Sequence, residues 1–153
     1  MIPSGHAEEL IKQFESCVLK AYQCPNGIWT IGWGTTGSGI KPELQITQKT
    51  ADAMLKAHML EVGLFLSRMF GESLKQHEFD ALTSFVYNIG EGAFRKSALC
   101  GLVKERKMAE AASEFDKWVY ASGKKLEGLV RRRKAEKTMF LGTPSVTTQT
   151  KTV

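Results

Sequence analysis

Apolar residues first recur at helical spacing in Leu10, Ile11, Phe14, Val18 and Ala21, so the region 1–21 is expected to hold a first helix. Ser4 can cap it, and Glu8 and Glu9 suit its positive end. On such a helix Glu15, four residues from both Ile11 and Leu19, lies at the margin of the apolar stripe. The pattern then changes. Pro25-Asn26-Gly27 signals a turn, Ile28-Trp29-Thr30-Ile31 favours a strand, and Gly32, Gly34, Gly37 and Gly39 interrupt regularity. A twisted antiparallel hairpin or three-stranded sheet is expected, too small to stand alone and leaning on the first helix. Thr47 can cap a long helix from Gln48 to Phe70, whose wide apolar stripe (Ala51, Leu55, Met59, Leu60, Val62, Leu64, Phe65, Leu66) predicts burial on several sides. Beyond Gly71 the chain reads as mostly helical. One face runs through Phe79, Leu82, Phe85, Val86 and Ile89 and stops at Gly90-Glu91-Gly92. Shorter helices are expected over Ser97–Lys104, Met108–Tyr120 and Leu126–Leu141, with Ser122-Gly123 separating the last two. The Thr-rich tail 143–153 lacks an apolar pattern and is expected to be flexible.

Composition narrows the class. The 153 residues suit one domain, and 42% hydrophobic with 24% charged residues is ordinary for a soluble globular protein. A formal charge of +5 favours polyanions without choosing among them. No apolar run is long enough to span a bilayer, and the first residues do not read as a signal peptide, so folding in the cytosol is expected. Cys17, Cys24 and Cys100 are odd in number and lack metal-type spacing, and His6, His58 and His77 are far apart. Free thiols and no metal are the expectation.

The chemistry concentrates between Phe14 and Thr36. Glu15 is either a solvated helix glutamate or a carboxyl at the edge of an apolar cleft, where desolvation favours its neutral form and suits it to protonate a leaving oxygen. Cys24 and Thr30 carry no functional claim from composition: a lone Cys is commonly a small buried apolar residue, and Thr suits a strand. Gly32 to Gly37 formally matches GxGxxG, but no helix start follows to meet a phosphate, so the glycines read as hairpin residues. Arg131 to Lys134 splay around a helix and form no single groove-facing stripe, which argues against nucleic acid. At least one of them is expected to pack or pair inside the C-terminal part, with Glu127 and Glu136 as possible partners.

The order Glu15, eight residues, Cys24, five residues, Thr30 resembles the phage-type lysozyme (endolysin, muramidase) family related to the T-even phage lysozyme, glycoside hydrolase family 24. The stretch AYQCPNGIWTIGWGTT looks like that family's hairpin AYxDxxGxxTIGYGHT. ALTSFVYNIG at 81–90 and GLVRRRKAE at 128–136 match further segments, the latter resembling GLxxRRxAE. The resemblance implies an α+β, mostly α, lysozyme-like two-lobe fold. A small β-hairpin N-lobe (about 1–46) and a helical C-lobe (about 71–142) are joined by a long helix (about 47–70), all within one domain, 1–142. It also implies an endolysin that hydrolyses the β-1,4 bond between N-acetylmuramic acid and N-acetylglucosamine in bacterial peptidoglycan. Lytic transglycosylase action at the same bond and a non-catalytic peptidoglycan-binding domain are the alternatives. By resemblance Glu15 is the general acid, Thr30 positions water, and Cys24 stands where a carboxylate often assists, as base, nucleophile or positioning group. Asn88, Tyr87 and Trp33 are the substrate-binding candidates. Hairpin packing is the other reading of Trp33, and helix capping with core packing that of Asn88 and Tyr87. No cofactor is implied. The expected protein is a monomer, held in the host cytoplasm until a holin-type membrane protein gives it access to the wall.

Overall fold

The computed structural model describes residues 1–142; the tail expected to be flexible lies outside the described residues. Helix α1, Gly5–Phe14, starts where Ser4 Oγ accepts the His6 N–H, and it buries Ala7, Leu10 and Ile11. It ends about two turns earlier than the apolar spacing suggests. Glu15 has already left the helix, in extended backbone with its N–H bonded to Ile11 O at 2.9 Å. Val18 and Ala21 belong instead to strand β1, Val18–Gln23. Their spacing of three is helical, but main-chain pairing overrides it, with an irregularity in register between Val18 and Tyr22: β1 pairs with β2, Trp29–Gly32, which pairs with β3, Thr35–Thr36, in an antiparallel sheet of order β1-β2-β3. On its other side Ala21 N–H meets Leu44 O at 2.9 Å.

This sheet packs chiefly on α2, Gln48–Phe70, rather than on α1. Gly32 sits close over Ala51, so that a Cβ there would lie 3.6 Å from the alanine methyl, and Ile31 is fully buried. Thr47 caps α2 by accepting the Thr50 N–H at 3.1 Å. The helix is not buried all round, however: Leu60 and Leu64 are about half exposed, because α3 and the sheet cover only the opposite sides.

Helix α3, Gln76–Ile89, is the central element of the C-lobe, buried from Glu78 to Tyr87. Gly90, at φ 90°, ends it, but a short helix α4, Glu91–Lys96, follows at once where the glycines suggest only a stop. Helix α5 is Ala98–Lys104. Helix α6, Met108–Glu114, is shorter than expected; the chain passes through a 3-10 turn at Phe115–Lys117 into a small hairpin, β4 Tyr120–Ala121 and β5 Lys124–Lys125. Ser122 and Gly123, both at positive φ, make its turn. Helix α7, Glu127–Phe140, then packs along α3. Phe85, Phe94, Phe115 and Phe140 meet edge-on or tilted in the main core. Each such ring contributes about 1.5–3 kcal/mol on burial. A second cluster of Ala7, Ile11, Leu55, Met59 and Tyr87 joins α1, α2 and α3 where the lobes meet. Among the described residues no helix is long and apolar enough to cross a membrane.

Candidate active site

Glu15 follows α1 immediately and lines a cleft of about 820 Å³ walled on the other side by α7 and by Asn88 at the end of α3. Its side chain is 20% exposed, and Oε1 accepts a 2.8 Å bond from Arg132 Nη1. The edge is therefore not apolar, as desolvation alone supposes, but a charged contact. Oε2 lies over Gly34, which holds φ +85° and leaves no room for more: a Cβ there would sit 2.8 Å from that oxygen. Gly34→Ala is thus expected to cost about 1–2 kcal/mol from the left-handed backbone and to push the Glu15 carboxylate off its seat. Urea denaturation reads the first effect, and loss of the 2.8 Å Arg132 contact in a crystal structure reads the second.

Arg132 is itself held on three sides. Nε meets Glu136 Oε2 at 3.1 Å, and Nη2 meets the Ser84 carbonyl at 3.1 Å and its hydroxyl at 3.3 Å. Ser84 Oγ donates to Glu136 Oε2 at 2.6 Å. Arg133 faces Glu136 Oε1 at 3.0 Å through Nε and donates to Asn88 Oδ1 through Nη2. Two of the four consecutive cations are thus buried. Glu136 is their shared partner, and Glu127 is in none of the ion pairs among the described residues.

Cys24 and Thr30 face each other across the hairpin. Cys24 N–H to Ile28 O and Gly27 N–H to Cys24 O, both 2.8 Å, close the Pro-Asn-Gly turn, with Gly27 at φ 86°. That turn aims Cys24 Sγ at Thr30 Oγ1, 3.1 Å away, while Thr30 is 3% exposed. Tyr22, 40% exposed, joins the pair. Burial, then the nearby Cys24 and Glu15, raise its hydroxyl above the usual tyrosine range. Glu15 and the thiol thus act on one exposed phenol.

Tyr87 and Trp33 are placed differently. The Tyr87 hydroxyl donates to Trp33 O at 2.5 Å, and its ring stacks on His58 with centroids 4.2 Å apart. Burial and then the Glu15 charge push that hydroxyl far up. Trp33 Nε1 donates to Asp52 Oδ1 at 2.8 Å, and Lys12 Nζ lies 5.3 Å from its ring centroid. Their polar groups bind the hairpin to α2 and α3 rather than facing the cleft. Asn88 shares the cleft with Glu15, though Arg133 occupies its amide oxygen. Sequence reasoning missed Arg132, Tyr22 and Gly34. The Arg132-Glu136 spacing of four was a usable signal for the pair on α7, but nothing local connects either residue to Glu15.

A carboxyl in a cleft walled by α7 and the end of α3, in a chain whose small antiparallel sheet is joined to a helical lobe by one long helix, defines a lysozyme-like protein. Comparison with known proteins agrees. The family model described as phage lysozyme matches residues 12–136. The endolysin of Bacillus phage PZA is 42% identical over 138 residues, covering 88% of this chain and 54% of that protein, so the chain spans about half the length of that relative. The endolysin of Acyrthosiphon pisum secondary endosymbiont phage 1 is 40% identical over 86% of this chain and 92% of its own. Among solved structures, the muramidase domain of SpmX from Asticaccaulis excentricus superposes with TM-score 0.82 at 39% identity, over 92% of this chain and 97% of that one. The chain belongs to the phage lysozyme family.

Proposed function

We propose that this chain is an endolysin that hydrolyses the β-1,4 bond between N-acetylmuramic acid and N-acetylglucosamine in peptidoglycan, and so lyses the host cell. The carrying observation is the seat of Glu15 on a cleft of about 820 Å³: one oxygen is tied to Arg132 and the other faces Gly34. Glu15 gives its proton to the bridging oxygen as the bond breaks and charge develops on the sugar ring. Water adds to that sugar, and its proton returns to the site. Asn88 supplies an amide in the cleft for acetamido or hydroxyl groups.

Cys24 acts in this reading as a positioning group. Its thiol is 3.1 Å from Thr30 Oγ1 and near enough to Tyr22 to raise that hydroxyl, an arrangement that can fix a water molecule without a second carboxylate. Cys24→Ser keeps a hydrogen-bonding group there and is expected to clear purified walls within about tenfold of wild type, whereas Cys24→Ala is expected to fall further, by about 10²-fold. Turbidity of a wall suspension measures both. A glycosyl adduct on Cys24 in the intact-mass spectrum would instead make the thiol a nucleophile. The protein acts as a monomer without a cofactor, does not bind nucleic acid, and waits in the host cytoplasm for a holin-type membrane protein. Lysis by this chain expressed alone would contradict that last step.

A further inference from the structure

Behind the cleft, α7 borders a second hollow of about 610 Å³, closed by the 3-10 turn and the β4–β5 hairpin. Lys117, Lys125, Lys134, Lys137 and Arg133 line it, against Asp116 as the one carboxylate among its lining residues. Three of these five cations have a carboxylate partner, Asp116, Glu114 or Glu136, which leaves Lys125 and Lys134 as the local excess. Lys137 is paired with Asp116 at 2.8 Å and Lys117 with Glu114 at 2.7 Å, while Lys125 and Lys134 are in no ion pair among the described residues. Arg133 is 1% exposed, and its Nη1 has no hydrogen-bond partner among the described residues, although its guanidinium lies 4.9 Å from the Phe85 centroid. Crowding like charges around a partly unsatisfied buried guanidinium is costly, and an anion relieves both costs.

We propose that this hollow binds phosphodiester groups of an anionic polymer attached to the glycan that lies in the adjoining cleft. The inference rests on the reading of that cleft as a glycan site. Lys134 lines both spaces, so a polymer branching from a bound strand reaches the hollow around one helix. Lysines suit phosphate as point charges, and a phosphodiester keeps its charge throughout the working pH range. The hollow is much larger than one phosphate, which points to a segment of several units rather than a single ion.

The test is direct binding of a short glycerol-phosphate oligomer to the intact chain, followed by calorimetry at about 0.15 M salt, where distant charges are screened, and independent of any wall cleavage. The double variant Lys117→Glu with Lys125→Glu is expected to bind about tenfold more weakly. A control with the same change in net charge, Lys49→Glu with Lys56→Glu on exposed positions of α2, is expected to stay within about twofold of wild type. Equal weakening by both pairs would reduce the effect to net charge and overturn the site. Inorganic phosphate binding as tightly as the oligomer would reduce it to an adventitious ion only. A single-stranded oligonucleotide of equal charge binding as tightly would also overturn the assignment. Because the readout is binding, failure here leaves the hydrolytic reading untouched, and loss of hydrolysis leaves this result interpretable.

Discussion

Glu15→Gln is expected to lower the rate of wall clearing by about 10²–10⁴-fold while the protein stays folded. The amide matches the carboxyl in shape, and its oxygen can still accept from Arg132 Nη1, which now stands 2.8 Å from Oε1. What is lost is the transferable proton. Parallel thermal melts separate the two effects: an unchanged Tm with lost clearing assigns the loss to chemistry. Clearing at the wild-type rate would remove Glu15 from the mechanism.

The largest expected effect on stability belongs to Glu136→Ala. Glu136 is fully buried and serves both guanidiniums, at 3.1 Å to Arg132 and 3.0 Å to Arg133. Burial pulls the Arg133 guanidinium down and pushes the Glu136 carboxyl up, while the attraction between the two opposes both shifts. Removing the carboxylate strands the buried Arg133 and leaves Arg132 with Glu15 as its one ion-pair partner among the described residues, at a cost of about 3–5 kcal/mol. At about 2–4 °C for each kcal/mol, the melting point falls by on the order of 10 °C. Ser84→Ala removes the 2.6 Å bond to Glu136 and the 3.3 Å bond from Arg132 Nη2, and is expected to cost about 1–3 kcal/mol. Glu136→Ala should also slow wall clearing at temperatures where it is still folded, because Arg132 loses the partner that aims it at Glu15. Calorimetry at pH 7 alongside the clearing assay measures both.

Much of this architecture is legible in local chemistry. Thr47, a proline-free run and Gly71 mark the ends of α2 to the residue, and the three motifs in order point to the fold and to Glu15. What is not legible depends on partners far along the chain. Val18 and Ala21 continue the helical spacing of α1, and only pairing with β2 and the Leu44 segment turns them into a strand, one with an irregular register. Leu60 and Leu64 look like core by hydrophobicity, but no element covers their side of α2. Arg132 is one of three consecutive arginines, and its contact with Glu15 spans 117 positions. The Cys24–Thr30 contact follows from the turn at Pro25-Asn26-Gly27, which the residues announce, although the meeting of thiol and hydroxyl at 3.1 Å needs the folded hairpin.

Mass spectrometry of glycan ends released in oxygen-18 water tests hydrolysis by Glu15 most directly. The expected products are reducing N-acetylmuramic acid ends carrying one heavy oxygen, released by wild type and nearly absent with Glu15→Gln. Unlabelled anhydro ends, or equal release by the two proteins, would contradict it.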